Sequence, residues 1–177
     1  GAWRISRKRV LIRHIPVVES LGSATVLCVD KTGTLTQNRM ALAMLSVDGK
    51  SLDVNSPDPG GLSETFHELL EFRVLASQRD PFDPMEKAIR EVGHRLLAPT
   101  EHWHEDWMLV EEYPLSPELL AMSQVWQSPE GDRYVIAAKG APEAIVDLCH
   151  MDPHRAEVVT RQVNVMAEQG LPVLAVA

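Results

Sequence analysis

The sequence predicts an α+β protein, and three observations carry that reading. Two turn signals, Asp48-Gly49 and Pro129–Asp132, each separate short β-forming runs, as antiparallel hairpins require. Asp83-Pro84 and Asp152-Pro153 pair a capping carboxylate with a proline whose fixed φ suits the first turn of a helix. Hairpins and helices are mixed along the chain, so an antiparallel sheet with helical hairpins packed on it is the expected architecture. The 177 residues suffice for one good-sized core or two small ones, and 45% hydrophobic with 24% charged residues excludes a disordered or collagen-like chain. Aromatics are only 5%, so aliphatic packing must supply most of the burial.

Taken in order, residues 1–23 read as a short helix or arm leading into Pro16 and Gly22. Ala24–Val29 is a continuous apolar, β-branched run, the pattern of a strand buried on both faces, and it ends at Asp30. Lys31–Asn38 is a loop rich in Thr and Gly. Met40–Val47 and Lys50–Val54 form the arms of the first hairpin, and residues 55–62 are a turn-rich connector. Ser63 caps a helix reaching about Ser77, whose apolar face is Phe66, Leu69, Leu70, Val74 and Leu75. A second helix spans Pro84 to Leu97. Strands follow at 107–113, 122–127 and Arg133–Ala138. Pro142 opens a helix to Cys149, and Asp152-Pro153 opens another that Gly170 closes. Val173–Ala177 reads as a last strand, and no internal repeat is present.

Charge divides the chain unevenly. Residues 1–23 carry Arg4, Arg7, Lys8, Arg9 and Arg13 against Glu19, whereas the remainder carries 12 basic against 24 acidic residues within an overall charge of -8. An acidic body of this kind argues against a general nucleic-acid binder. A basic head is common in segments that lie just outside a membrane on the cytosolic side. The apolar runs fall far short of the roughly 20 residues that cross a bilayer. Cys28 and Cys149 lie in apolar contexts without motif spacing and read as reduced core thiols. His102 and His104 flank Trp103 in a His-x-His pattern, but two ligands make an incomplete zinc site, and a surface loop with tryptophan packing is the preferred reading.

The strongest chemical signal is Asp30–Thr36, DKTGTLT, directly after the expected buried strand. A carboxylate at the carboxyl end of such a strand lies where open α/β sheets bind ligands, and it can act as a nucleophile toward phosphorus. Lys31 offers a cation, Thr32 and Thr34 offer hydroxyls, and Gly33 lets backbone N–H groups approach. Together with Pro16–Gly22 before it and Asn38-Arg39-Met40 after it, the segment resembles the phosphorylation signature of P-type ATPases, cation pumps of the haloacid-dehalogenase superfamily. That resemblance implies that Asp30 becomes an aspartyl-phosphate, with Lys31, Thr32 and Thr34 around it. It also implies ATP and Mg²⁺ as cofactors, with Asp30 and the Thr32 backbone giving only part of a magnesium site. Phosphatases of the superfamily often carry a second Asp two residues after the nucleophile. Thr32 stands there instead, so the phosphoenzyme should hydrolyse slowly.

Two further segments resemble the nucleotide-binding domain of the same pumps, in the same order. Lys139–Glu143, KGAPE, implies an adenine-pocket lysine at Lys139, with Gly140 admitting the base to the backbone. Asp83–Ile89 implies a pocket glutamate at Glu86. A third segment departs from the pattern. Where related pumps carry a stacking Phe and then a Lys ahead of a Met-Ser pair, this chain has Leu115 and Leu120 ahead of Met122-Ser123. A lost aromatic stack of about 1–3 kcal/mol lowers affinity by about one to two decades. Tyr113, two residues before Leu115, is the aromatic at hand.

The resemblance implies a division into residues 1–40, the start of a haloacid-dehalogenase-like phosphorylation domain, and 41–177, a nucleotide-binding domain truncated at its C-terminal end. On that reading the chain is a cytoplasmic piece of an inner- or plasma-membrane pump closest to the type II class, since the heavy-metal branch's His-Pro dipeptide is lacking. Its partners are ATP and, in the full protein, a transported cation, and exposed strand edges invite dimerisation of the piece. Taken alone it is expected to be inactive. The alternatives are a non-catalytic scaffold with a degenerate adenine pocket, or a phosphatase of the same superfamily.

Overall fold

The computed structural model of the chain describes residues 7, 16, 20, 22–56 and 62–177. The expected N-terminal arm and the 55–62 connector lie mostly outside those residues. The chain divides into two compact units, residues 1–38 and 39–177.

In the first unit, residues 22–38 are exposed; residues 16, 20 and 22 are helical, Lys31–Leu35 form one wide turn, and the remainder is without regular structure. The expected buried strand over Ala24–Val29 does not form: neither sheet of the structure includes it, and Val26 and Leu27 are 77% and 76% exposed. A strand needs a ladder partner for its N–H and C=O groups, and among the described residues none pairs with this run. Cys28 is exposed with it, and Cys149 is exposed as well, so neither thiol is a core residue.

The second unit holds every described strand and the helices that follow them. Strand β1 (Met44–Val47) pairs antiparallel with β2 (Lys50–Asp53) through Asp48 and Gly49, both at positive φ (49° and 76°). This is the left-handed geometry that suits an Asp-Gly hairpin. Helix α1 (Glu64–Leu75) follows Ser63, whose hydroxyl makes no cap hydrogen bond. Helix α2 (Pro84–Leu97) begins where Asp83 accepts from the Met85 and Glu86 N–H groups. Then come β3 (Met108–Tyr113), β4 (Ala121–Gln127), β5 (Tyr134–Gly140), helix α3 (Pro142–Leu148), helix α4 (Pro153–Glu168) and the short β6 (Ala175–Val176). Asp152 caps α4 through the His154 and Arg155 N–H groups, and Gly170 past its end takes φ 77°.

The main sheet runs β3-β4-β5-β6, every neighbour antiparallel. Alternation along β4 and β5 sends Gln124, Trp126, Val135, Ala137 and Lys139 to one face, which packs on the helices. There Leu75, Ala76, Trp107, Trp126 and Ala137 form one buried cluster, with Phe72 and Val135 against it. On the other face Ala121, Ala138 and Ile145 make a second cluster with Leu119, Ala144, Ala175 and Ala177. A third gathers the hairpin residues Leu45 and Val54 around Phe66 of α1. The expected α+β architecture is therefore present. No helix among the described residues is long and apolar enough to cross a membrane.

The buried Trp126 Nε1 donates to the Leu75 carbonyl at the end of α1, at 2.7 Å, and so ties sheet to helix. Replacing Trp126 with Phe removes that donor and leaves a buried helix-end carbonyl unpaired. The expected loss is about 1–3 kcal/mol in urea unfolding from the unpaired carbonyl, to which the void left by the smaller ring adds.

Candidate functional site

Two groups of candidate residues stand in the two units. In the first unit Asp30 through Leu35 curl into a wide turn closed by the Thr36 N–H on the Lys31 carbonyl at 3.0 Å. Gly33 takes φ 77°, a region costly for a residue with a Cβ, and its N–H donates to Thr36 Oγ1 at 3.4 Å. Asp30, Lys31, Thr32 and Thr34 are all exposed. The local sequence thus presents a carboxylate, a cation and hydroxyls on one short, glycine-hinged turn open to solvent. For Mg²⁺ the donors fit in kind, a carboxylate and a carbonyl oxygen; the remaining positions suit water and phosphate oxygens, as this ion commonly uses.

In the second unit Lys139 of β5 and Glu86 of α2 form an ion pair, with Lys139 5% and Glu86 7% exposed. The pair is built from both sequence segments: strand alternation turns Lys139 toward the helices, and the Asp83 cap fixes the first turn of α2 that carries Glu86. Its second oxygen accepts from the Gln78 N–H at 3.3 Å. Met122 lies directly across the ladder from Lys139, on the same face. Gly140 lies opposite Ala121, and a Cβ there would come within 2.3 Å of the Leu120 carbonyl oxygen and 2.5 Å of Ala121 Cα. The glycine is therefore demanded by the sheet's own packing, a reason independent of any ligand.

Sequence reasoning missed two members of this cluster. Arg73, buried in the last turn of α1, donates to Ser77 Oγ at 3.5 Å, and Lys139 Nζ donates to the same hydroxyl at 3.5 Å. Ser77 in turn donates to the Arg73 carbonyl at 2.8 Å. Burial lowers the pKa of both cations, and the Glu86 charge opposes that fall. The available signal was the arginine set among apolar residues of α1, four positions before a serine.

The Leu115 and Leu120 side chains are 63% and 52% exposed, at the ends of a turn in which the Leu119 N–H donates to Ser116 Oγ. Tyr113 pairs with Ser123, so alternation places it on the sheet face opposite Met122 and Lys139. It does not supply the missing aromatic on the Lys139 side.

The 102–107 segment is more than a tryptophan-packed surface loop. His102 and His104, each mostly buried, share Glu71 of α1: Nδ1 of His102 lies 2.5 Å from one carboxylate oxygen and Nε2 of His104 2.7 Å from the other. Burial works to raise the Glu71 pKa, but the hydrogen bonds from both histidines outweigh it and hold the carboxyl below its ordinary range.

Residues 82–177 match the sequence signature of the family described as P-type ATPase, cytoplasmic domain N. Over its whole length the chain is 29% identical to a sodium/potassium exporting P-type ATPase of Schizosaccharomyces pombe and 31% identical to a cation-transporting ATPase of Synechocystis, covering 22% and 23% of those proteins. It is 27% identical, again over its whole length, to magnesium-transporting ATPase, P-type 1, of Escherichia coli K12, of which it covers 19%. The chain thus spans about a fifth of the length of these relatives.

The polar cluster holds two cations against one buried carboxylate. Glu86→Gln leaves Arg73 and Lys139 unbalanced and is expected to cost about 3–5 kcal/mol, whereas Lys139→Met leaves Arg73 to face Glu86 and costs well under half of that. Chemical unfolding of the two variants beside the parent checks the order.

Proposed function

The chain belongs to the P-type ATPase family, and on that premise we propose that residues 41–177 bind ATP and present it to Asp30 in residues 1–40 of a cation-transporting pump. The observation that carries the proposal is the buried meeting of Glu86 and Lys139, 53 positions apart in sequence, with Met122 beside Lys139. The adenine ring would lie against this group, its face on Met122 and the Lys139 stem, near Gly140 and Leu115. Its exocyclic amine would donate to Glu86. Because Glu86 and Lys139 now bond each other, a base that engages either must share or open that pair.

Phosphoryl transfer would then follow from Asp30. Its carboxylate oxygen attacks the γ-phosphorus in line, the bond to the bridging oxygen breaks, and ADP leaves with the electron pair. Lys31 faces the charge that spreads over the transferring group, while the Thr32 and Thr34 hydroxyls donate to its oxygens. When bound, Mg²⁺ neutralises phosphate charge, and the Asp30 carboxylate and Thr32 carbonyl are the residues here that would hold it. Thr32 offers no carboxylate to activate water, which favours a phosphoenzyme long-lived enough to drive transport of a cation substrate. The parent protein would then be membrane-embedded, with this part on the cytoplasmic side.

A second reading is favoured by one specific feature: the exposed leucines at 115 and 120 and the opposite placement of Tyr113 leave residues 113–122 with no aromatic on the Lys139 face. On that reading the nucleotide domain is a silent scaffold. Titration calorimetry separates the two. The nucleotide reading expects saturable ATP binding that Leu115→Phe tightens about tenfold or more and that Asp30→Asn leaves unchanged. Absence of binding in both the parent and Leu115→Phe supports the scaffold.

A further inference from the structure

Helix α1 brings Glu64, His67 and Glu71 to one face by their spacing of three and seven residues. Against that face lies His102, held in place by its own N–H on Thr100 Oγ1 at 3.2 Å. One ligand atom from each of Glu64, His67 and His102 falls within 4.8 Å of the others. His102 Nε2 is 2.9 Å from one Glu64 oxygen, and His67 Nδ1 is 3.6 Å from the other. The two imidazole rings stand 5.3 Å apart. Tetrahedral zinc with ligands at about 2.0–2.1 Å needs donors roughly 3.4 Å apart. Glu64, whose side chain is 67% exposed, can turn to present one oxygen, and rotation of the His67 and His102 rings closes what remains of a separation of at most 4.8 Å.

The surroundings are those a metal centre needs. With Nε2 turned to the ion, His102 has Nδ1 left to donate to Glu71, 2.5 Å away, the carboxylate–histidine–metal arrangement that fixes ring orientation and raises ligand basicity. Glu71 is itself anchored by His104, whose ring stacks on Trp107 at 4.1 Å. Three protein ligands with a fourth position open to water is a common zinc coordination pattern. Imidazole with carboxylate suits zinc-class divalent ions, and hard ions such as Mg²⁺ poorly. We propose that Glu64, His67 and His102 form a binding site for a zinc-class divalent cation, with Glu71 as the positioning residue, clipping the first turns of α1 to the 98–107 loop. The site shares no residue with the Glu86–Lys139 pair and does not depend on the nucleotide reading.

Calorimetry of the 177-residue chain with ZnCl₂ is expected to show one saturable site that excess MgCl₂ does not displace, and zinc should raise the melting temperature. His67→Ala and His102→Ala should each abolish that site, Glu71→Gln should weaken it about tenfold, and His150→Ala and His154→Ala should leave it intact. X-ray absorption of the zinc-loaded parent should show two imidazole scatterers, a readout that does not depend on how any variant folds. A parent that binds no zinc, zinc displaced by magnesium, binding that survives both His67→Ala and His102→Ala, or a spectrum without imidazole scattering would each overturn the proposal. In that case the histidines and glutamates serve only as an ion-paired clamp.

Discussion

The second unit is organised around one buried electrostatic contact, the Lys139–Glu86 pair with Arg73 and Ser77 beside it. It joins three elements, β5, the first turn of α2 and the last turn of α1. Charges removed from water are costly unless each finds a partner, so the pairing restricts how the sheet face and the helical pair can dock. The apolar contacts of Trp126 and Ala137 are less directional, apart from the Trp126 Nε1 hydrogen bond to the Leu75 carbonyl, which adds a second fixed point between sheet and helix. Paired charges and the Trp126 hydrogen bond are the directional contacts between sheet and helices, and apolar burial supplies most of the driving force.

The same contact shapes the chemistry available to the site. A buried lysine with its alkyl stem toward Met122, and a carboxylate with one oxygen on a backbone N–H, can meet a flat heterocycle through one apolar surface and one acceptor. What the 113–122 segment lacks is an aromatic plate on the Lys139 face, because Leu115 and Leu120 occupy the turn and Tyr113 lies on the far face. Recognition would then rest on the ion pair and on dispersion against methionine, a weaker means of holding a purine than stacking. The Asp30 turn is a different kind of site, open and glycine-hinged, with its functional groups on a local loop. Proximity to a delivered phosphate, more than burial, would have to activate it.

What was legible in the sequence was mostly local. Asp48-Gly49, Asp83-Pro84 and Asp152-Pro153 each satisfy a backbone need within a few residues, so the hairpin and both capped helices lie where those residues predict. Ala24–Val29 shows the limit of that logic: a β-forming run becomes a strand only when another strand lies beside it, and among the described residues none does. Cys28 follows the run into solvent. The His102-x-His104 pattern was visible, but its partners Glu64, His67 and Glu71 lie more than 30 positions away, on a helix whose docking no spacing rule supplies. Arg73 was hidden for the same reason, since its meaning depends on Glu86 and Lys139 arriving from later elements. The requirement for glycine at position 140 traces to a cross-strand contact with Leu120 and Ala121 that only the register reveals.

The most direct test of the account is a residue-resolved NMR titration of the 177-residue chain with ATP in the absence of metal. If the Glu86–Lys139 group is where the base is held, the amides of Gln78, Met122, Lys139 and Gly140 shift together along one saturation curve while those of Asp30–Thr36 stay still. Saturable shifts confined to other parts of the chain, or none at millimolar ATP, would contradict it.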